Sequence, residues 1–226
     1  MPEIAHCPLI ARLPMTIIEP LVLDVVSDVV CPWCFVGKRR IERAARLLDR
    51  TILIRWHPFE LNPEMPRDGM SRQEYRIRKF GSLERSRALE QQLAAVGHQV
   101  GIDFRYDLME RISNTRRAHA LLALALKQGL EVQNQTAERL FTGYFQRGED
   151  PGDLTTLMNI AQEIGIVDVS DPETLNDPVL LQAIRKEEES AAAMGVSGVP
   201  SMFHNGRLIA SGAQPEQILA DALRDH

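Results

Sequence analysis

Cys31 and Cys34 stand three residues apart in Cys31-Pro32-Trp33-Cys34. That spacing lets one sulfur attack a disulfide and the other resolve the mixed disulfide that results. The attacking species is the thiolate, so a working site must favour that form. The flanking residues offer a way. Leu21-Val22-Leu23-Asp24-Val25-Val26-Ser27 is a nearly continuous β-branched apolar run, suited to a central buried strand. Phe35 to Leu48 reads as a helix, with Ile41, Ala45 and Leu48 on one face. Cys31 therefore falls at a helix start, where unpaired N–H groups and the positive end of the dipole stabilise negative charge. Pro32 suits the first helical position, because a missing N–H costs nothing there. Cys34 shares the apolar face of the helix, which predicts that Cys34 is buried and Cys31 stands at an exposed tip.

Two blander readings compete. A zinc site also uses Cys-x-x-Cys, but needs four ligands, and the chain has neither a second such pair nor a His-x₃₋₅-His pair; no metal is expected. The cysteines could instead be core filling. Strand–Cys-x-x-Cys–helix is, however, the context of a dithiol redox motif. The chain has three cysteines, too few and too oddly numbered for a disulfide framework. Cys7 lies in residues 1–20, which read as a flexible leader: Glu3, Pro2 and Pro8 interrupt it and no basic segment precedes an apolar core. A cytoplasmic setting is the expectation. A formal net charge of −5 argues against nucleic acid or an anionic membrane as partner. No apolar run approaches the ~18 residues of a spanning helix. The basic run Arg39, Arg40, Arg43 and Arg46 reads as a solvated helix face.

Further elements must position the pair. Thr51 to Phe59 predicts a second strand, ended by the Pro-rich stretch 58–66, so that strand, helix and strand open a right-handed βαβ unit. Helical signals then dominate residues 67–171. Ser71 and Glu74 have capping-box spacing; Leu89, Leu93 and Val96 form a stripe that stops at Gly97. Asn114 can cap a helix with Ala118, Leu121, Leu122 and Ala125, closed by Gly129. Ala137, Leu140, Phe141, Tyr144 and Phe145 keep helical period, and Asp153 can cap a helix that ends at Gly165. Asp177-Pro178 starts another helix, running toward Met194. Ser201 to His204 and Arg207 to Ala210 flank Asn205-Gly206, a strong hairpin signal. Pro215 to Leu223 closes the chain as a helix. The expectation is an α/β domain made of residues 21–66 and 172–226, with an α-helical subdomain, 67–171, inserted between its halves.

At these residues a specific resemblance emerges. Ser27-Asp28-Val29-Val30-Cys31-Pro32-Trp33-Cys34, Trp56-His57-Pro58-Phe59-Glu60-Leu61-Asn62-Pro63, Asn114-Thr115, Ala118-His119, Gly195 to Pro200 and Ser211 to Pro215 together resemble the FrnE-like branch of the DsbA oxidoreductase superfamily. The resemblance implies a thioredoxin-like fold with an inserted helical subdomain, and dithiol–disulfide exchange or isomerisation. Cys31 would attack and Cys34 resolve. Pro32, Trp33, Val199 and a cis Pro200 would face a disulfide-bearing protein or small-molecule substrate; no cofactor is needed, although glutathione could serve as reductant or co-substrate. Asn114 and His119 would line the cleft between lobe and sheet. Thioredoxins and DsbA carry a buried acid six residues before the first cysteine, where this chain has Val25. Asp28, His57 and Glu60 are the resemblance's candidates for handling the proton of Cys34; His57 reads equally as a strand histidine with a satisfied hydrogen bond. A related alternative is a glutathione-dependent isomerase or transferase, like 2-hydroxychromene-2-carboxylate isomerase and the kappa-class glutathione transferases. Against it, Cys34 is present, and Ser211-Gly212-Ala213-Gln214 lacks the acid those enzymes commonly place after that serine.

Overall fold

A computed structural model describes residues 19–224; Cys7 and residues 1–18 of the expected leader lie outside the described residues. Strand β1 (Leu21–Ser27) buries Leu21, Leu23, Val25 and Val26, as a central strand must. After a tight turn, helix α1 (Pro32–Leu48) leads to β2 (Ile52–Pro58), parallel to β1. Next come a two-residue strand β3 (Met70–Ser71), α2 (Arg72–Phe80), α3 (Leu83–Val100), β4 (Arg111–Ile112), α4 (Arg116–Lys127), α5 (Leu130–Arg147) and α6 (Leu154–Ile164). A short 3-10 turn (Pro172–Asn176) precedes α7 (Pro178–Ala193); the hairpin β5 (Ser201–His204) and β6 (Arg207–Ser211) and helix α8 (Glu216–Leu223) complete the chain. The main sheet has the order β2-β1-β5-β6, with β5 antiparallel to both its neighbours. This is a thioredoxin-like α/β fold with a helical insertion between β2 and β5.

The insertion is fastened to the site-bearing helix by aromatic packing. Phe35, one residue past Cys34, stacks on Phe141 of α5 at 5.3 Å and meets Phe145 at 6.0 Å. Trp56 of β2 meets the edge of Phe141 at 5.8 Å. Aromatic pairs of this kind add roughly 0.5–1.5 kcal/mol each beyond the area they bury. Buried Lys38, with Arg39, reaches Glu138 of α5, a second tie between the same helices. β2 is an edge strand, and an exposed edge leaves backbone groups unpaired. Gln133 of α5 closes part of it: its side chain accepts the Trp56 N–H at 3.0 Å and donates to the Trp56 carbonyl at 2.9 Å.

Several local expectations need correction. The face of α1 is completed by buried Ala44, with Ala45 only partly covered. Ser71 precedes α2 but its side chain makes no capping bond. Gly97 does not stop α3, which runs on to Val100 and ends at Gly101 with φ +82°. Gly97 is a contact point instead, since a Cβ there would lie 2.6 Å from the Phe104 ring. Asn114 stands one residue outside the cap position, and its side chain accepts the Arg116 N–H at 3.1 Å. The β3–β4 ribbon and the 3-10 turn are too short to carry a periodic signal. By contrast Asp153 caps α6 through Thr156 N–H, and Asp177 caps α7 through Val179 and Leu180. Asn205 and Gly206 both take positive φ, +50° and +75°, as a type I′ hairpin turn requires.

Candidate active site

Cys31 occupies the N-cap of α1 with extended backbone (φ −89°, ψ 111°), and Pro32 follows in the first helical turn. Its own N–H donates to the Asp28 carbonyl at 3.0 Å, and its carbonyl accepts the N–H of Cys34 at 3.0 Å. The expected exposed tip is not what the fold makes. Cys31 is only 4% exposed, because the loop before β5 lies over it, and the Sγ–H donates to the Val199 carbonyl at 3.7 Å. The residue on the surface is Trp33, at 43%. The Val199–Pro200 peptide bond is cis. Pro200 packs on the first turns of α1: a Cβ on Gly37 would come within 3.1 Å of its ring. The Pro200 carbonyl accepts from Gly212, and Ser201 Oγ donates to Gly198, so the loop is held from both ends.

Cys34 is fully buried, and both cysteines are free thiols. Burial pushes the Cys34 thiol well above the usual thiol range. Its hydrogen bond to Cys31 and the charge there push the same way, while the Ser27 hydroxyl and the Asp28 amide pull weakly down. One sulfur is thus built to keep its proton until its partner's sulfur is bonded elsewhere.

Beneath the turn lies a group of charges drawn from four segments. Asp28, 0% exposed, accepts the Leu61 N–H at 2.7 Å and the Val30 N–H at 3.4 Å, and faces His119 Nε2 at 3.6 Å. The His119 side chain is 1% exposed, so it stands under the cysteine turn and not on an open wall of a cleft. Burial disfavours its charge, but Asp28, then Glu188 and Glu60, outweigh it and raise its pKa. Glu60 is held by Arg116 through two contacts, at 2.9 and 3.2 Å. Burial, then the charge of Glu60, raise Glu188. Of the three candidates for handling the Cys34 proton, Asp28 touches the cysteine turn and Glu60 faces His119. His57 is elsewhere, on β2, bonded to Asp24 at 2.8 Å and near Glu187 at 3.5 Å. Asn114 donates to the Met65 carbonyl and lines a cavity of about 330 Å³ with Arg67, Arg111, Arg117 and Asp150, whose lining includes neither cysteine. Among the described residues no group of three or more His, Cys, Asp or Glu side chains could hold a metal ion.

Sequence reasoning missed the pairing of Asp28 with His119. The signal was a histidine inside the apolar run Ala118 to Leu122, where a polar side chain needs a partner.

A profile of the DSBA-like thioredoxin domain matches residues 22–224. The chain belongs to that family. The chain is a disulfide oxidoreductase of the DSBA type, and the neighbouring Cys31 and Cys34 are consistent with a Cys-x-x-Cys site. A probable DsbA oxidoreductase of Streptomyces coelicolor superposes with a TM-score of 0.78 at 28% identity, covering 91% of this chain and 89% of that one. A 2-hydroxychromene-2-carboxylate isomerase shares the fold, with a TM-score of 0.69 at 15% identity over 90% of this chain and 94% of the other. An uncharacterised Bacillus subtilis protein, YwbO, is 24% identical over 207 residues, 90% of this chain and 96% of its own length.

Proposed function

We propose that Cys31 is the attacking thiol and Cys34 the resolving one in a thiol–disulfide oxidoreductase or isomerase of the FrnE-like branch, working in the cytoplasm. The observation that carries this is the asymmetry of the pair: Cys31 at a helix start against the Val199 carbonyl, Cys34 buried one turn in with its thiol pushed up. The Cys31 thiolate attacks a substrate disulfide, forming a mixed disulfide and expelling one thiolate. Cys34 then gives its proton to that thiolate or to solvent and attacks the Cys31 sulfur. The substrate's second sulfur leaves, and the two electrons of the dithiol have reduced the substrate disulfide. Trp33, exposed beside the turn, and the Val199–Pro200 loop form the docking surface for a disulfide-bearing protein or small molecule. The odd cysteine count favours a reducing compartment, where a thiol such as glutathione would regenerate the dithiol. Among the described residues no helix is long and apolar enough to cross a membrane.

Cys34→Ser tests the assignment. It keeps the attacking thiol and removes the resolving one, so a mixed disulfide on Cys31 should accumulate and be visible by intact mass, while dithiol-driven turnover falls to background. Cys31→Ser should neither trap nor turn over. Full activity of Cys34→Ser on an isomerase or transferase substrate, with no adduct, would instead favour glutathione-dependent isomerisation.

A further inference from the structure

We propose that His119 is a positioning residue of the redox site, its imidazolium serving as the counter-charge to Asp28, which in turn holds the turn carrying both cysteines. The proposal rests on the dithiol reading above. Asp28 touches the turn from several directions: its carbonyl takes the Cys31 N–H, its amide lies at the Cys34 sulfur, and its carboxylate takes the N–H groups of Val30 and Leu61. A fully buried carboxylate is costly unless paired. Among the described residues Asp28 has no Lys or Arg within ion-pairing distance; its cationic neighbour is His119, at 3.6 Å.

His119 in turn has no other visible employment. Both its ring nitrogens are buried without a hydrogen-bond partner, which is not how a structural histidine is normally held. What surrounds it is charge: Asp28 from the β1–α1 turn, Glu60 from the segment after β2 and Glu188 from α7, against one arginine, Arg116, which shares its helix and is engaged with Glu60, while Arg117 of that helix is turned to Asn176 and Gly152. Tyr144 of α5, on which Asp28 also acts, stays neutral, since burial pushes its hydroxyl far above the ordinary phenol range. Three carboxylates against one arginine favour the charged ring, which agrees with the raised pKa of His119.

The consequence falls on the resolving step. Cys34–SH must lose its proton to solvent or to the departed thiolate. Its sulfur then bonds to Cys31 while the Cys31–substrate bond breaks and the substrate leaves with the electron pair. With His119 charged, the new thiolate forms above a neutralised Asp28. With His119 neutral or absent it forms above a bare carboxylate, and like charges oppose one another in a dry site. The first attack, by Cys31 at the mouth of the turn, is less affected.

The test is single-turnover reaction of the full chain with oxidised glutathione, following formation and resolution of the Cys31–glutathione mixed disulfide from pH 6 to about pH 9, a range spanning the ordinary histidine value of ~6.5. His119→Gln should slow resolution by about tenfold near neutrality, the effect of one unit of pKa on Cys34. The gap to wild type should narrow as pH rises and His119 loses its proton. On an Asp28→Asn background, where no charge needs neutralising, His119→Gln should have little further effect. A gap that is constant with pH, unchanged resolution, or an undiminished effect on the Asp28→Asn background would overturn the proposal. If His119→Gln does not fold, the NMR titration of His119 in the unmodified protein decides: a ring still charged above pH ~6.5 supports the pairing, and a neutral ring there refutes it. Absence of the Cys34→Ser adduct would defeat the dithiol reading itself; an adduct with a flat His119→Gln comparison defeats this proposal alone.

Discussion

His57 illustrates how single side chains tie the sheet to its helices. Its Nε2 lies 2.8 Å from Asp24 of β1 and its Nδ1 3.5 Å from Glu187 of α7. Burial works against its charge, but the bonds to Glu187 and Asp24 outweigh it and raise its pKa. A group whose pKa is raised by folding adds stability that is complete below its unfolded value, ~6.5, and is lost as pH rises through the folded value. Urea midpoints of the wild type should therefore fall between about pH 6 and about pH 8 more steeply than those of His57→Gln. Parallel pH dependences in the two proteins would show that the contacts carry no net charge coupling. At this scale the sequence was a partial guide. It marked Cys31 and Cys34, but the depth of Cys31 depends on Val199, a residue 168 positions away, and no local pattern encodes that cover. Of the two readings of His57, a group handling the Cys34 proton or a strand histidine with its own hydrogen bond, the fold makes the second, since strand alternation turns it toward Asp24 and Glu187.

Elements were legible wherever an end had a chemical marker. Asp153, Asp177-Pro178 and Asn205-Gly206 each fixed a boundary through a bond or a φ value that few other residues supply. Gly97 is the converse case: its glycine signals a helix stop, while in the fold it lets Phe104 approach α3. Phe104 is itself wedged between Phe35, Tyr106 and Phe145, so its ring cannot swing away freely. Gly97→Ala removes an unfavourable helix glycine but places a methyl group 2.6 Å from that ring. Overpacking of this kind typically costs ~1–3 kcal/mol, more than the ~1 kcal/mol gained in helix propensity. Chemical denaturation should show net destabilisation. An equal or more stable variant would mean that Phe104 can give way, and that the aromatic cluster joining α1 to the insertion is looser than described.

Across the whole molecule, the insertion does more than cover the sheet. It supplies His119 and Arg116 from α4 and the aromatic face of α5 on which Phe35 rests, while the segment after β2 brings Glu60 and α7 brings Glu188. The redox pair lies at the start of α1 and its covering loop just before β5, on either side of the helices that separate β2 from β5. Binary patterning and turn chemistry were enough to predict the order of elements, because the paired strands on each side of the helices carry their own apolar runs and turn residues. That His119 needs a partner was readable, but that the partner is Asp28 was not, since it depends on where the turn after β1 meets α4. What unites these features is that Cys31 and Cys34 form one reversible two-electron couple. The most direct measurement equilibrates the protein across ratios of reduced to oxidised glutathione, quenches with acid and a thiol label, and weighs the products. With Cys7 carrying a label in both forms, a single transition is expected between protein labelled at Cys31 and Cys34 as well and protein joined by a Cys31–Cys34 disulfide, its midpoint moving about 30 mV per tenfold change in the equilibrium constant. A protein that never forms the internal disulfide, and collects only a lasting glutathione adduct on Cys31 or Cys34, would contradict it.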